Sequence, residues 1–250
     1  MEISEHIAAL RREGDLLATT AAAAGLNAPI PTCPEWQMRD MLRHLGGVHK
    51  WAATIVGQRR TQPPGDKEES EMFTMWPDDA TLVDSFREGH AELVRTLEAA
   101  EPDLVCWTFL SAPSPLAFWA RRQAHETSIH RADAQSAGGA IAIFPQALAA
   151  DGIDEILSGF ASRPRGKLRA DPPVSIQIHA TDADRDWLVH VAPDRVEVRN
   201  EHGAADCSVH GRASDLYLLL WNRQGPDGLE VHGDATLLDL WRRLVQIRWS

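Results

Sequence analysis

The hydrophobic pattern of the chain changes its period once, between residues 161 and 171. Before this point apolar residues recur at the spacing of amphipathic helices, and after it short segments alternate apolar with polar residues, as half-buried strands do. Ser, Arg, Pro and Gly cluster at the change, as they do in linkers. The fold class is therefore α plus α+β: a helical domain at residues 1–162 followed by a small α+β domain at residues 163–250.

Capping and turn residues indicate where the elements begin and end. Thr32-Cys33-Pro34-Glu35 has the order of a capping box, with proline in the first turn of the helix that follows. Helices are expected at residues 4–26, 33–58, 82–97, 116–136 and 145–161, with a charged, proline-containing loop at 59–78. In the second domain antiparallel strands are expected at 174–179, 187–191 and 195–199, a brief strand at 229–232, and helices at 212–223 and 235–247.

The charge and the cysteines restrict the class of protein. With 25 Lys and Arg against 36 Asp and Glu, the 250 residues carry a formal net charge of −11, which repels nucleic acid and anionic lipid. No segment reaches the roughly 18 consecutive apolar residues of a spanning helix, and the acidic start is unlike a signal peptide. The widely spaced Cys33, Cys106 and Cys207 are expected to be free thiols. We expect a cytoplasmic protein with neither nucleic-acid nor membrane partners.

The helix expected at residues 116–136 carries the side chains best suited to chemistry. Five of them share one stripe about 80° wide: Trp119, Arg122, Glu126, His130 and Asp133. The apolar residues left over form only a thin face, so we expect this stripe to face the inside of the bundle. The alternative is an ordinary solvent-facing helix, because a glutamate and a histidine four residues apart often occur together by chance.

A buried glutamate and histidine need partners, and one divalent cation satisfies both. The third ligand must come from another helix. His44 lies on the apolar side of the helix at 33–58, whereas His49 stands further round beside Lys50, so we choose His44. The alternative for His44 is a hydrogen-bonded core residue.

Two more histidines are weaker candidates. His90 is a spare ligand, but its charged neighbours indicate a solvent-facing position. His125 lies one residue before Glu126 and points away from the stripe, so we expect a structural role.

Three protein ligands leave a coordination position open, as in catalytic sites. A set of two nitrogens and one oxygen suits Zn²⁺, with nickel, iron and manganese as alternatives. An open position can bind a thiolate, and since no cysteine is obviously placed to supply it, the sulfur would come from a cofactor. The dinucleotide-binding, P-loop, nucleophile-elbow and zincin motifs are absent from the sequence.

Three segments resemble the mycothiol-dependent maleylpyruvate isomerase family. They read CPEWQMRDMLRHLGGVHKW at residues 33–51, FWARRQAHETSIHRADA at 118–134 and SDLYLLLWNRQGPDGLEVHGDATLLDLW at 214–241. The resemblance implies a DinB-like metal-binding four-helix bundle and a sterol-carrier-like α+β domain. It also implies that His44, Glu126 and His130 hold a divalent metal, most often zinc, in agreement with the ligands chosen above.

In that family the metal activates mycothiol, which adds to the cis double bond of maleylpyruvate so that rotation and elimination give fumarylpyruvate. Because members have diverged, the resemblance implies mycothiol or a related small thiol, used for isomerisation or for S-transfer to an electrophilic small acid. Arg223 is the catalytic candidate that would bind the acid, although Asn222 replaces the glycine that commonly precedes it. Trp119 and Arg122 are candidates for cofactor binding, and Arg122 could instead form a structural pair with an acid.

Two other functions stay open at this point. One is a non-catalytic protein whose second domain encloses an apolar small molecule, with a structural or vestigial metal site. The other is a bundle that keeps its ligands and has lost activity. The discriminating residue is His44, because without its contact to Glu126 or His130 there is no metal site. The chain is expected to be a monomer or a homodimer.

Overall fold

The computed structural model describes residues 1–164 and 166–247. The chain forms two compact units, Met1–Ala142 and Ile143–Ser250. The first is helical and the second combines helices with a sheet, which confirms the predicted fold class.

Four long helices form the bundle of the first unit, and one short helix lies beside them. The helices are α1 (Ile3–Ala24), α2 (Met38–Gly57), α3 (Asp66–Thr74), α4 (Leu82–Ala99), which follows a 3₁₀ turn at Asp79–Thr81, and α5 (Pro115–Ser136). The helix α1 packs against α4 and α5, and α2 packs against the same two, while the short α3 lies on α2. Leucines such as Leu10, Leu45 and Leu93 are fully buried between them. The apolar stripes predicted at helical spacing therefore meet in one core.

The start of α2 differs from the prediction. Residues 30–36 form a turn, and the capping box is made by Gln37 and Asp40, whose side chains each accept from the other's backbone N–H. The predicted capping residue Thr32 instead donates its hydroxyl to Asp133 on α5 at 2.6 Å. The capping-box order at Thr32 was thus misleading, because a tertiary hydrogen bond uses the side chain that the local pattern assigned to the helix.

The predicted loop at 59–78 contains a helix. In α3 the first turn is acidic and follows Gly65 at the N-cap, an arrangement that the helix dipole favours. Met72 is its one buried residue among those described, so α3 lacks the repeated apolar stripe on which the prediction relied.

The helix α5 runs through the centre of the bundle. Every residue from Arg122 to Ala134 is buried. Polar side chains on such a helix need partners: Arg131, for example, donates from Nε to Glu13 on α1 at 2.6 Å. The expectation that the polar stripe faces inward is confirmed.

The second unit is a sheet covered by helices. Its elements are α6 (Gln146–Asp154), which continues as a π-helix at Glu155–Ala161, β1 (Val174–Ala180), β2 (Arg185–Val191), β3 (Val196–Arg199), β4 (Cys207–Gly211), α7 (Ala213–Leu220), β5 (Glu230–Gly233) and α8 (Thr236–Leu244). The strand order is β3-β2-β1-β4-β5. Along β1 and β2 the residues of one face are buried in the core, as alternation predicts.

The sheet is mixed, which corrects the expectation of antiparallel strands. The predicted strands pair antiparallel, but β4, which the sequence analysis missed, pairs parallel with β1. Only Cys207 and Val209 of its five residues are buried, so its alternation is too short to stand out.

The division between the units falls at residue 142, earlier than the boundary placed at 162 from composition. The reason is that α6 packs against α7 and belongs to the second unit by its contacts. Helical spacing shows that a helix has an apolar face but does not show which domain covers that face.

Two further expectations concern the chain as a whole. No disulfide joins the three cysteines, all of which the structure describes; Cys106 and Cys207 are buried, and Cys33 is half-buried. Among the described residues, no helix combines the length and the apolar character needed to span a bilayer.

Candidate metal centre

His44 on α2 meets Glu126 and His130 on α5 inside the first unit. The Nε2 atoms of His44 and His130 lie 3.6 and 3.3 Å from Oε1 of Glu126. One candidate ligand atom from each of the three residues lies within 4.8 Å of the other two. Glu126 and His130 are buried, while the His44 side chain is 15% exposed. The structure therefore brings together the three residues chosen from the sequence, and leaves an approach on the side of His44.

The proximity of Glu126 and His130 follows from the helical spacing of residues along α5. Glu126 and His130 are four residues apart, so their side chains leave the same face of the helix about one turn apart. The neighbouring His125 leaves a different face and approaches His6 of α1, with 6.1 Å between ring centroids. As expected from the helical angle, His125 is outside the cluster around Glu126.

A buried carboxylate is hydrogen-bonded to the second ring nitrogen of His130. Asp133, one turn further along α5, accepts a hydrogen bond from Nδ1 of His130 at 3.0 Å through Oδ2. Its other oxygen accepts the hydroxyl of Thr32 at 2.6 Å. An Nδ1–H that donates to a carboxylate fixes the ring and leaves Nε2 as the ligand atom, which is the usual support of a metal-binding histidine.

The site is strongly charged when no metal is bound. Burial by itself would lower the pKa of His130, but hydrogen bonds to Asp133 and Glu126 raise that pKa to about 9. Burial would raise the pKa of Glu126, but contacts with His130 and His44 and the charge of Arg122 hold it well below its ordinary value. At pH 7 the ionised Glu126 thus faces a protonated His130.

Arg122 fixes the other oxygen of Glu126. Its Nη2 donates to Oε2 at 3.0 Å, and the side chain is 1% exposed. The pair leaves Oε1 of Glu126 directed at the two histidines. The sequence analysis left open whether Arg122 binds a cofactor or pairs with an acid; the structure shows the pair with Glu126, and cofactor binding stays a prediction.

Aromatic rings form the walls beside the histidines. The Trp36 ring lies 4.9 Å from the His44 ring and 5.9 Å from the His130 ring, and Phe73 of α3 lies 6.2 Å from His44, all between centroids. Phe73 can come this close because a Cβ added at Gly47 would lie 2.6 Å from it. The sequence analysis missed both aromatic residues, one in an unexpected turn and one on the unpredicted α3.

The remaining two predicted site residues are Trp119 and Arg223. Trp119 is fully buried, donates its indole N–H to the carbonyl of Trp107 at 2.9 Å, and packs 5.2 Å from the Trp51 ring. Arg223 belongs to the second unit, is half-buried, and donates from Nη1 to the carbonyl of Trp221 at 2.9 Å. Their functional roles stay predictions.

His90 and His49 are also buried in the bundle. His90 donates from Nε2 to the carbonyl of Leu10 at 3.0 Å, in a space that exists because residue 14 is glycine. The expectation that His90 faces solvent is therefore wrong. The sequence analysis placed His49 further round the helix than His44. It is fully buried and shares a hydrogen bond of 2.9 Å with the Thr127 hydroxyl. Burial lowers the pKa of both imidazoles.

Comparison with known families agrees with this architecture. Residues 7–135 match the Mycothiol maleylpyruvate isomerase N-terminal domain, and residues 147–240 match the C-terminal domain of the same family. The chain belongs to the mycothiol maleylpyruvate isomerase family.

Solved structures share the fold across both units. The crystal structure of the mycothiol-dependent maleylpyruvate isomerase aligns with a TM-score of 0.65 at 13% identity, over 94% of this chain and 95% of that chain. A histidine-to-alanine mutant of that enzyme aligns with the same score and coverage at 14% identity. No curated protein matches the chain significantly.

Proposed function

We propose that this protein is a metal-dependent enzyme that uses mycothiol or a related small thiol, and that His44, Glu126 and His130 hold the metal. The observation that carries the proposal is the convergence of three ligand atoms within 4.8 Å. Membership of the family supports the thiol, and the buried Asp133 behind His130 supports the metal.

The donor set fits a zinc ion. Two imidazoles and one carboxylate are common catalytic zinc ligands, and three protein ligands leave a position for a further group. When bound at such a site, a divalent ion lowers the pKa of a coordinated thiol so that the nucleophilic thiolate is present near pH 7. Nickel, iron and manganese suit the same donors, and elemental analysis distinguishes them.

The surrounding residues have separate tasks in this proposal. Asp133 holds the Nδ1–H form of His130, and Arg122 keeps one oxygen of Glu126 engaged so that the other faces the histidines. Trp36 and Phe73 give the site apolar walls, which restrict water beside a reactive sulfur.

The substrate we propose is a small electrophilic acid, either isomerised about a cis double bond or joined to the thiol. Arg223 is the residue proposed to bind the acid, since a guanidinium pairs well with a carboxylate. Trp119 and Arg122 are proposed to border the thiol. The absence of a disulfide among the described cysteines is consistent with a protein that acts in the reducing cytoplasm.

A turnover assay with added thiol tests the proposal. The purified protein is given mycothiol and maleylpyruvate, and in parallel mycothiol and a chromogenic electrophile, and the products are followed by absorbance. We expect thiol-dependent turnover that Glu126→Gln abolishes. The control is Glu92→Gln, which changes an exposed glutamate on α4 and should keep wild-type activity. Turnover that is equal without thiol, or is retained in Glu126→Gln, would contradict the proposal.

A cavity in the second unit favours a second candidate, the binding of a small apolar molecule. It has a volume of about 260 Å³ and is lined by Leu219, Leu220, Val231, Leu238 and Trp241 among other residues. Two results together would favour this candidate. The protein would show no thiol-dependent turnover, and an apolar fluorescent probe would bind equally well to wild type and to Glu126→Gln. Leu238→Arg should then abolish probe binding by filling the cavity with a charge.

A further inference from the structure

Four histidines stand side by side across the sheet of the second unit. We call them the histidine row: His202, His179, His210 and His232. Neighbouring ring centroids along the row are 6.4, 5.4 and 5.7 Å apart. The rings are half-buried or exposed, so dissolved ions can reach them.

The register of the sheet produces this row. His179 on β1 is paired directly with His210 on the parallel strand β4, and with Asp186 on the antiparallel strand β2. Directly paired residues point to the same face of a sheet, and neighbouring strands lie about 4.8 Å apart, so these side chains stand next to one another. The flanking Ile178 and Val209 point to the opposite face and are fully buried. The core thus fixes the face on which the histidines stand.

Asp186 orients two of the rings. Its Oδ1 lies 3.1 Å from Nδ1 of His179 and 3.0 Å from Nδ1 of His202. A carboxylate oxygen accepts hydrogen bonds, so each of these two rings directs an Nδ1–H towards Asp186. Both histidines therefore carry their proton on Nδ1. In the neutral rings the Nε2 atoms hold the lone pairs that bind metals.

The pair His179 and His210 has nearly the ring spacing of the two histidines at the candidate metal centre. The rings of His44 and His130 are 5.2 Å apart between centroids, close to the 5.4 Å between His179 and His210. A carboxylate behind one imidazole also occurs at both places, as Asp133 and as Asp186.

We propose that the histidine row holds a second metal site, in which His179 and His210 together bind a divalent transition ion. Imidazole nitrogens select ions of intermediate softness, such as Zn²⁺, Ni²⁺ and Cu²⁺, over Mg²⁺ and Ca²⁺. The two sites share no residue, so each can be removed by substitution without changing a ligand of the other. Because the row is partly exposed, its ion exchanges with solution.

Equilibrium dialysis of the full-length chain against Ni²⁺ tests this site. At pH 7.5 and about 50 μM free Ni²⁺, we expect wild type to bind one ion more per chain than either His179→Asn or His210→Asn. The matched control is His190→Asn, since His190 stands on the same face of β2, beside Ser175 and Glu197 in the register, and is also half-buried. This control should bind as much Ni²⁺ as wild type.

Asp186→Asn adds a test that removes no ligand. Loss of the supporting carboxylate should weaken binding at the row by about 10-fold or more. The proposal is overturned if His210→Asn binds as much Ni²⁺ as wild type, or if His190→Asn loses as much as His210→Asn. Circular dichroism of each variant shows that the fold is intact. The test is independent of the candidate metal centre. His44→Ala should lose the ion of that centre and His210→Asn the ion of the histidine row, so the two losses of bound metal should be additive.

Discussion

Replacing Asp133 with asparagine removes a charge behind His130 and keeps the shape of the side chain. The amide oxygen can still accept from Nδ1 of His130, and the amide N–H can face Thr32. Loss of such a supporting carboxylate typically weakens metal binding by about 10- to 100-fold, or about 1.4 to 2.7 kcal/mol. This is the loss expected when no proton competes with the metal.

Proton competition makes the effect depend on pH. With the pKa of His130 at about 9, only about one chain in 100 has the neutral ring at pH 7, so the metal must displace a proton. Wild-type affinity should therefore rise about tenfold per pH unit between pH 7 and 9. Asp133→Asn lowers this pKa by removing one of the two carboxylates that raise it. The variant should bind almost as well as wild type at pH 7 and much more weakly at pH 9.

The assay is competition for Zn²⁺ with a chromophoric chelator at pH 7, 8 and 9. We expect the ratio of wild-type to variant affinity to grow by at least about tenfold over this range. Thr32→Val is the control, since it removes a hydrogen bond to Asp133 without a charge and should leave the slope with pH unchanged. A ratio that stays constant from pH 7 to 9 would refute the reasoning.

The other predictions concern stability, measured by urea unfolding. Gly14→Ala should destabilise the fold by about 1 to 3 kcal/mol, because the new Cβ would lie 2.2 Å from the His90 ring, whereas Gly89→Ala meets open space and should be stabilising. Burial lowers the pKa of His90, so the unfolded chain takes up the proton first and the free energy of unfolding should fall below about pH 6.5. Between pH 7.5 and 5, His90→Gln should lose less of this free energy than wild type does. An equal loss in the two proteins would show that His90 is not the cause. Arg131→Met should cost about 1 to 3 kcal/mol, because it removes the buried partner of Oε2 of Glu13 while the exposed Arg12 still pairs with Oε1. A cost close to zero would show that Arg12 alone compensates the charge of Glu13.

The sequence predicts those parts of the site that depend on one helix. Glu126, His130 and Asp133 lie on a stretch without proline or glycine, and the helical angle alone places them on one stripe. The thin apolar face of that helix further indicated that the stripe turns inward, and α5 is buried as expected. The choice of His44 over His49 rested on the apolar side of a second helix. It selected the histidine that contacts Glu126, although both are inward-facing.

Features that depend on packing between distant segments were not predictable in this way. Thr32 has the local pattern of a helix cap, but its partner is Asp133, about 100 residues away. His90 has charged neighbours in sequence, yet it is buried because Gly14 on another helix makes room for its ring. Similarly, α6 has an ordinary helical pattern, and only its contact with α7 assigns it to the second unit.

The central claim is that His44, Glu126 and His130 hold a metal ion, and elemental analysis tests it most directly. The protein is purified without a histidine tag or chelator, dialysed to remove weakly held ions, and compared with a variant that carries alanine at all three positions. We predict about one divalent ion per chain in wild type and none in the variant. Equal metal content in the two proteins, or no metal in either after zinc has been added, would contradict the account.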